Sequence, residues 1–112
     1  MDKPVLFNKK PSQPLEVDIC AISDWEGFDK IIQFLKNEYA IEIISQIDGP
    51  DARRWILKAK GKKFELRHDD GYGNYLFAPS PDSEQIVHKI GKDLESRLKN
   101  ICDSPKSHHT FY

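Results

Sequence analysis

The sequence holds no GxSxG, GxGxxG, HExxH or P-loop pattern, and no CxxC pair. Those spacings build a nucleophile elbow, a dinucleotide turn, a zinc protease centre or a phosphate cradle, so none of these chemistries has its usual sequence support. Cysteine is scarce: Cys20 and Cys102 are the only two, and they stand far apart in the chain. In a reducing compartment such residues read as two thiols rather than a disulfide or a zinc site, and His108-His109 has no partner at ligand spacing. No apolar run approaches the roughly 18 residues of a membrane span. The opening MDKPVLFNKKPSQP lacks the continuous apolar stretch of a signal peptide, so a cytoplasmic protein is expected. No cofactor, metal or small-molecule substrate is expected.

The chain has 112 residues, of which 38% are hydrophobic and 31% charged, the balance of one small domain with a thin core. Its formal net charge of −1 conceals a segregation. Residues 16–51 carry −7 and residues 53–67 carry +6, the latter from Arg53, Arg54, Lys58, Lys60, Lys62, Lys63 and Arg67 against Glu65. A chain polarised in this way can use its field to select partners.

Hydrophobic periodicity sets out the elements. Leu15, Val17, Ile19 and Ala21 alternate with polar residues, as in a half-buried strand. Ser23-Asp24 offers an N-cap, and Trp25, Phe28, Ile32, Leu35 and Tyr39 then mark one face of a helix over 24–39. The β-branched run at 41–47 reads as a strand ended by Asp48-Gly49-Pro50-Asp51. Trp55, Leu57 and Ala59 alternate in the next strand, Phe64, Leu66 and His68 in another, and NYLFA follows the loop at 69–73. Pro81 sits just inside the start of a helix over about 82–101, with Val87, Ile90, Leu94, Leu98 and Ile101 on one face. The expected fold class is α+β in the order β-α-β-β-β-α, with the last three or four strands as an antiparallel meander and both helices packed on one face. Residues 1–14 read as an irregular N-terminal arm, 15–102 as the single domain, and 103–112 as a polar tail with Phe111-Tyr112 able to dock back.

Alternate turns of a meander emerge at the same end. The Asp48–Asp51 and Asp69–Asn74 turns should therefore lie together, opposite the Lys60–Lys63 turn, with the start of the first helix returning to the acidic end. Asp24, Glu26, Asp48, Asp51, Asp69 and Asp70 then form an acidic pole beside Trp25, Tyr72 and Tyr75. Taken one at a time, Asp69, Asp70, Gly71, Gly73 and Asn74 are hairpin residues that tolerate positive φ, and Asp24 and Glu26 suit a helix N-terminus. HDDGYGN lacks the calcium-loop framework and its terminal glutamate. A His68–Asp69 or His68–Asp70 acid–base pair is disfavoured, because sequence neighbours on a strand point to opposite faces. The basic strands support a different surface: Arg54, Lys58, Lys60, Lys63 and Arg67, interleaved with aromatic residues, could track a nucleic-acid backbone, although no RNP motif is present.

At Arg53-Arg54-Trp55-Ile56-Leu57, Gly61, Phe64-Glu65-Leu66-Arg67-His68 and Asn74-Tyr75-Leu76 the chain resembles small bacterial α/β proteins. It also looks like the small α/β immunity proteins that neutralise contact-dependent or secreted toxins of competing bacteria. The resemblance implies a non-enzymatic domain whose partner is a cognate toxin domain, often a nuclease with a basic cleft. An acidic pole with Asp24, Glu26, Asp48, Asp51, Asp69, Asp70, Tyr72 and Tyr75 fits such a cleft. Nucleic-acid binding on the basic sheet face is the alternative.

Overall fold

The computed structural model describes the backbone of residues 3–103 and the side chains of residues 3–99. The polar tail from residue 104, with Phe111 and Tyr112, and the Cys102 side chain lie outside the described residues. The elements are β1 (Leu6–Asn8), β2 (Glu16–Asp18), α1 (Trp25–Tyr39), β3 (Glu42–Asp48), β4 (Ala52–Ala59), β5 (Lys62–Asp69), β6 (Gly73–Phe77) and α2 (Pro81–Asp103). They form an α+β fold in which one antiparallel sheet has the strand order β1-β2-β6-β5-β4-β3. The α+β class and the sequence of strand, helix, strands and helix hold; four strands rather than three lie between the helices as the meander, and a further strand, β1, lies within the segment read as an irregular arm. Three residues are too few to show a period, and β1 exists because Leu6, Phe7 and Asn8 pair with β2 across a proline-containing turn.

The strand expected over 15–21 is shorter than its alternation. The Ile19 amide still donates to the Asn74 carbonyl of β6, and beyond it the chain departs from β6, with the Ala21 amide on the Pro4 carbonyl. Asp24 caps α1, accepting a hydrogen bond from the Gly27 amide at 2.9 Å, and Ala40 closes the helix in the left-handed region at φ 49°. Lys60 and Gly61 both take positive φ, the two-residue turn that matches the twist of β4 and β5. In the loop before β6 only Gly73 does so, at φ 112°; Asp69, Asp70, Gly71 and Asn74 keep ordinary backbone.

Register and parity divide the sheet into two unlike faces. Val17, Leu57, Phe64, Leu66 and Leu76 join Phe28, Ile31, Phe34 and Leu35 of α1 and Val87, Ile90 and Leu94 of α2 in one core. Both helices therefore cover one side. They are also tied to each other: the Tyr39 hydroxyl donates to Asp93 at 2.8 Å, and Arg97 bridges Asp93 and Glu38. Among the described residues no element covers the other side of the sheet. Edge strand β3 carries a bulge between Ile43 and Ser45, which turns Ile44 outward and leaves Ile44 and Ile47 exposed.

Gly91 is where α2 meets the N-terminal strands. A Cβ there would lie 2.7 Å from the Phe7 ring and 3.0 Å from Val17 Cγ1. Gly91→Ala is expected to cost about 1–3 kcal/mol in urea unfolding, because overpacking exceeds the helix-propensity gain. Hydrogen exchange should show the loosening first at the amides of β1 and β2.

Candidate functional site at the acidic end of the sheet

One buried amide assembles this end of the molecule. Asn74 Nδ2 donates to the Ile22 carbonyl at 2.8 Å and to the Asp24 carbonyl at 3.0 Å, fastening the start of α1 to β6. With both N–H groups engaged, its Oδ1 must face His68 Nδ1, 2.7 Å away. The other ring nitrogen, Nε2, lies 2.8 Å from Asp70 Oδ1. Both partners are acceptors, so only a ring carrying two protons makes both bonds at once. Trp25 closes over the ring edge-on at a centroid distance of 5.4 Å. Opposite-face geometry keeps His68 from Asp69 but not from Asp70, which stands two residues on and returns to the same side.

Arg53 is the second buried polar group here. Its guanidinium carbon lies 4.3 Å from the Phe28 ring centroid, 4.8 Å from that of Trp25 and 5.1 Å from that of Trp55. Its Nε donates to Asp48 Oδ1 and its Nη2 pairs with Asp29, both at 3.1 Å. Nη1 is buried without an acceptor among the described residues. Asp48 Oδ1 also receives the Trp55 indole N–H at 2.8 Å, and this bond together with Arg53 holds the Asp48 carboxyl below the usual carboxylate range.

The two acidic turns do share one end of the sheet. The Asp70 amide donates to the Asp51 carbonyl at 3.0 Å, and Ala52 pairs with Asp69 in the ladder. The six expected carboxylates differ in what they do there. Asp24 caps α1, Asp48 holds Arg53 and Trp55, Asp69 accepts the Gly71 amide, and Asp70 holds His68. Glu26 and Asp51 are exposed, and neither side chain has a hydrogen bond or ion pair with any described residue. Trp25, expected in the core stripe, stays 36% exposed because it lies at the helix entrance over Arg53 and His68.

Sequence reasoning missed three carboxylates that join this region, Glu16, Asp18 and Asp29. Alternation around Val17 already put the first two on the face opposite the core. The hydroxyl of Tyr72 donates to both Asp18 oxygens at 2.8 Å, and its ring meets Tyr75 edge-on at 5.1 Å. Burial, that bond and the Asp18 charge push the Tyr72 hydroxyl well above the usual tyrosine range.

The basic residues separate into two places. Arg54 and Arg67 lie on the open face, and both bond Glu65, at 2.9 Å and 2.8 Å. Glu65 is buried beneath them; desolvation would raise its carboxyl, but the two arginines outweigh it and hold it below the usual range. Lys58 and Lys63 share this face by register, whereas Lys60 sits on the far hairpin. There Lys60, Lys62 and Lys89 line a groove with Asp82, and hydrogen bonding and repulsion from Lys89 lower the Lys60 ammonium. Among the described residues no three His, Cys, Asp or Glu side chains converge to hold a metal ion. No helix of the structure is long and apolar enough to cross a membrane. No family model, curated protein or solved structure matches this chain.

Asn74→Ala should lower stability by about 2–4 kcal/mol in denaturant unfolding, since two carbonyls and a buried ring lose their partner together. Glu65→Gln tests the open face through pH. A carboxyl with a depressed folded pKa stabilises above its unfolded value of about 4.3 and loses that contribution as pH falls through the folded value. The variant is therefore expected to be about 1–2 kcal/mol less stable at neutral pH, a figure discounted for the half-exposed Arg54. Thermal unfolding between about pH 6 and pH 2.5 should show the wild type losing the difference on acidification.

Proposed function

We propose that this chain is a non-enzymatic, cytoplasmic domain that binds a protein partner through the acidic end of its sheet, as a bacterial immunity protein neutralising a toxin domain. The observation that supports this best is the convergence of Asp24, Glu26, Asp48, Asp51, Asp69 and Asp70 beside the exposed Trp25 and Tyr72. The Lys60–Lys62–Lys89 cluster lies at the opposite end. Carboxylates at one end attract a basic surface and orient its approach, while the aromatic rings supply apolar area once contact is made. A nuclease toxin offers such a surface, since its cleft must hold phosphates. The resemblance of residues 53–76 to immunity proteins points the same way.

Nucleic-acid binding on the open face has less support. Arg54 and Arg67 are both engaged by Glu65, and by register Lys58 and Lys63 share the face with Glu16, Asp18, Glu42 and Asp69. A phosphate chain would meet nearly balanced charge there rather than a basic track.

Glu26 and Asp51 are the right probes, because Asp69 and Asp70 also hold the turn and His68. The Glu26→Lys/Asp51→Lys variant should stay folded with Tm lowered by only a few degrees, since Glu26 stands in the first turn of α1. Its association with a cognate toxin domain should slow about tenfold at low salt, with the gap closing as salt rises from about 20 mM to about 500 mM. The wild type should also restore growth to cells expressing that toxin. Equal association rates for both proteins across that salt range would rule out the acidic end as the binding surface, and absence of binding would rule out the immunity role.

A further inference from the structure

Beside the acidic end, on the open face of the sheet, lies a pocket lined by Glu16, Asp69, Gly71, Tyr72 and Tyr75. Two walls are aromatic rings set edge to face, and Tyr72 is 55% exposed. Tyr72 is fixed in place because Asp18 accepts its hydroxyl hydrogen bond through both oxygens. Glu16 makes no hydrogen bond or ion pair with any described residue, and Asp69 has one oxygen engaged by the Gly71 amide. Among the described residues no lysine or arginine lines the pocket. Arg67, the cross-strand neighbour of Tyr75, is turned away, bonded to Glu65 and lying 3.9 Å from the Phe77 ring centroid.

Electron-rich rings next to carboxylates that lack a counter-charge are a receptor for a cation. A metal ion is a poor fit, because no three potential ligands converge among the described residues. The molecule itself indicates which organic cation suits this chemistry. Arg53 lies among Trp25, Phe28 and Trp55 with Asp48 and Asp29 on its nitrogens, and Arg67 lies on Phe77 with Glu65 on its Nε. Both combine an aromatic face with a carboxylate around a planar guanidinium, which stacks and donates at the same time as an ammonium cannot.

We propose that the pocket formed by Tyr72, Tyr75, Glu16 and Asp69 receives an arginine side chain presented by a protein partner. It rests on the protein-binding reading above and extends it from the acidic end onto the open face, giving that interface a specific anchor. Long-range attraction from Glu26 and Asp51 would bring a basic surface close, and the arginine in this pocket would fix its register.

The test needs no protein partner. Isotope-labelled protein is titrated with the acetylated, amidated tripeptide Gly-Arg-Gly, and with Gly-citrulline-Gly and Gly-Lys-Gly as its neutral and ammonium counterparts. Amide shifts should move at Glu16, Asp18 and Asp69–Tyr75, with citrulline about tenfold weaker than arginine and lysine weaker by about threefold. Glu16→Gln and Tyr72→Leu should each weaken the arginine peptide about two- to fivefold while the remaining spectrum stays in place. Equal binding of citrulline or lysine, or shifts confined to other surfaces, would overturn the assignment. A pocket that fails this titration leaves the protein-binding reading to its own association-rate measurement. A pocket that passes while the charge-reversal variant binds normally separates the two in the other direction.

Discussion

The amide of Asn74 holds the first helix to the sheet, and the acidic end depends on that attachment. Its two donors engage carbonyls of the chain entering α1, and its oxygen faces the buried ring of His68. A buried amide with four hydrogen-bonding sites and few ways to satisfy them accepts only one arrangement of its neighbours. That arrangement sets the N-terminus of α1 against the β5–β6 turn, and the β4–β5 ladder with the Asp70–Asp51 backbone bond brings the β3–β4 turn beside them. The carboxylates of all three arrive together as a consequence.

Bringing so many acids to one place has an electrostatic cost, which Arg53 partly offsets from beneath. Arg53 enters a cage of three rings and draws Asp48 and Asp29 inward, while His68 holds Asp70. Among the described acids of this end, Glu26, Asp51 and Glu16 are left without a hydrogen-bond or ion-pair partner. The open face solves a similar problem differently: Glu65 is buried under Arg54 and Arg67, so a row of alternating charge shields an uncovered sheet.

Much of the architecture was legible because it repeats along the chain. The stripe Phe28, Ile32, Leu35 repeats at helical spacing and is core, and the alternation of Trp55, Leu57 and Ala59 gives β4 and its buried face. The meander rule then gave the shared end of the two acidic turns without any side-chain detail. Trp25 departs from its stripe because a residue at a helix entrance is covered only on the side that meets the sheet. Strand β1 was invisible for the opposite reason, being too short to show any period and formed only by pairing.

The sequence by itself determined the α+β class, the faces of the elements and the segregation of charge, since periodicity and composition are properties of neighbouring residues. Which carboxylates are committed inward and which remain outward was decided only in the tertiary structure. Asp48 with Trp55, His68 with Asn74, Tyr72 with Asp18, and Glu65 beneath two arginines are matters of three-dimensional proximity. A carboxylate in the sequence carries only its charge; its environment is supplied by distant strands and turns, as Asp18 is by Tyr72, 54 positions away. The loop at 69–74 reads locally as a hairpin, and folding makes it the junction of a helix, two turns and an aromatic pocket.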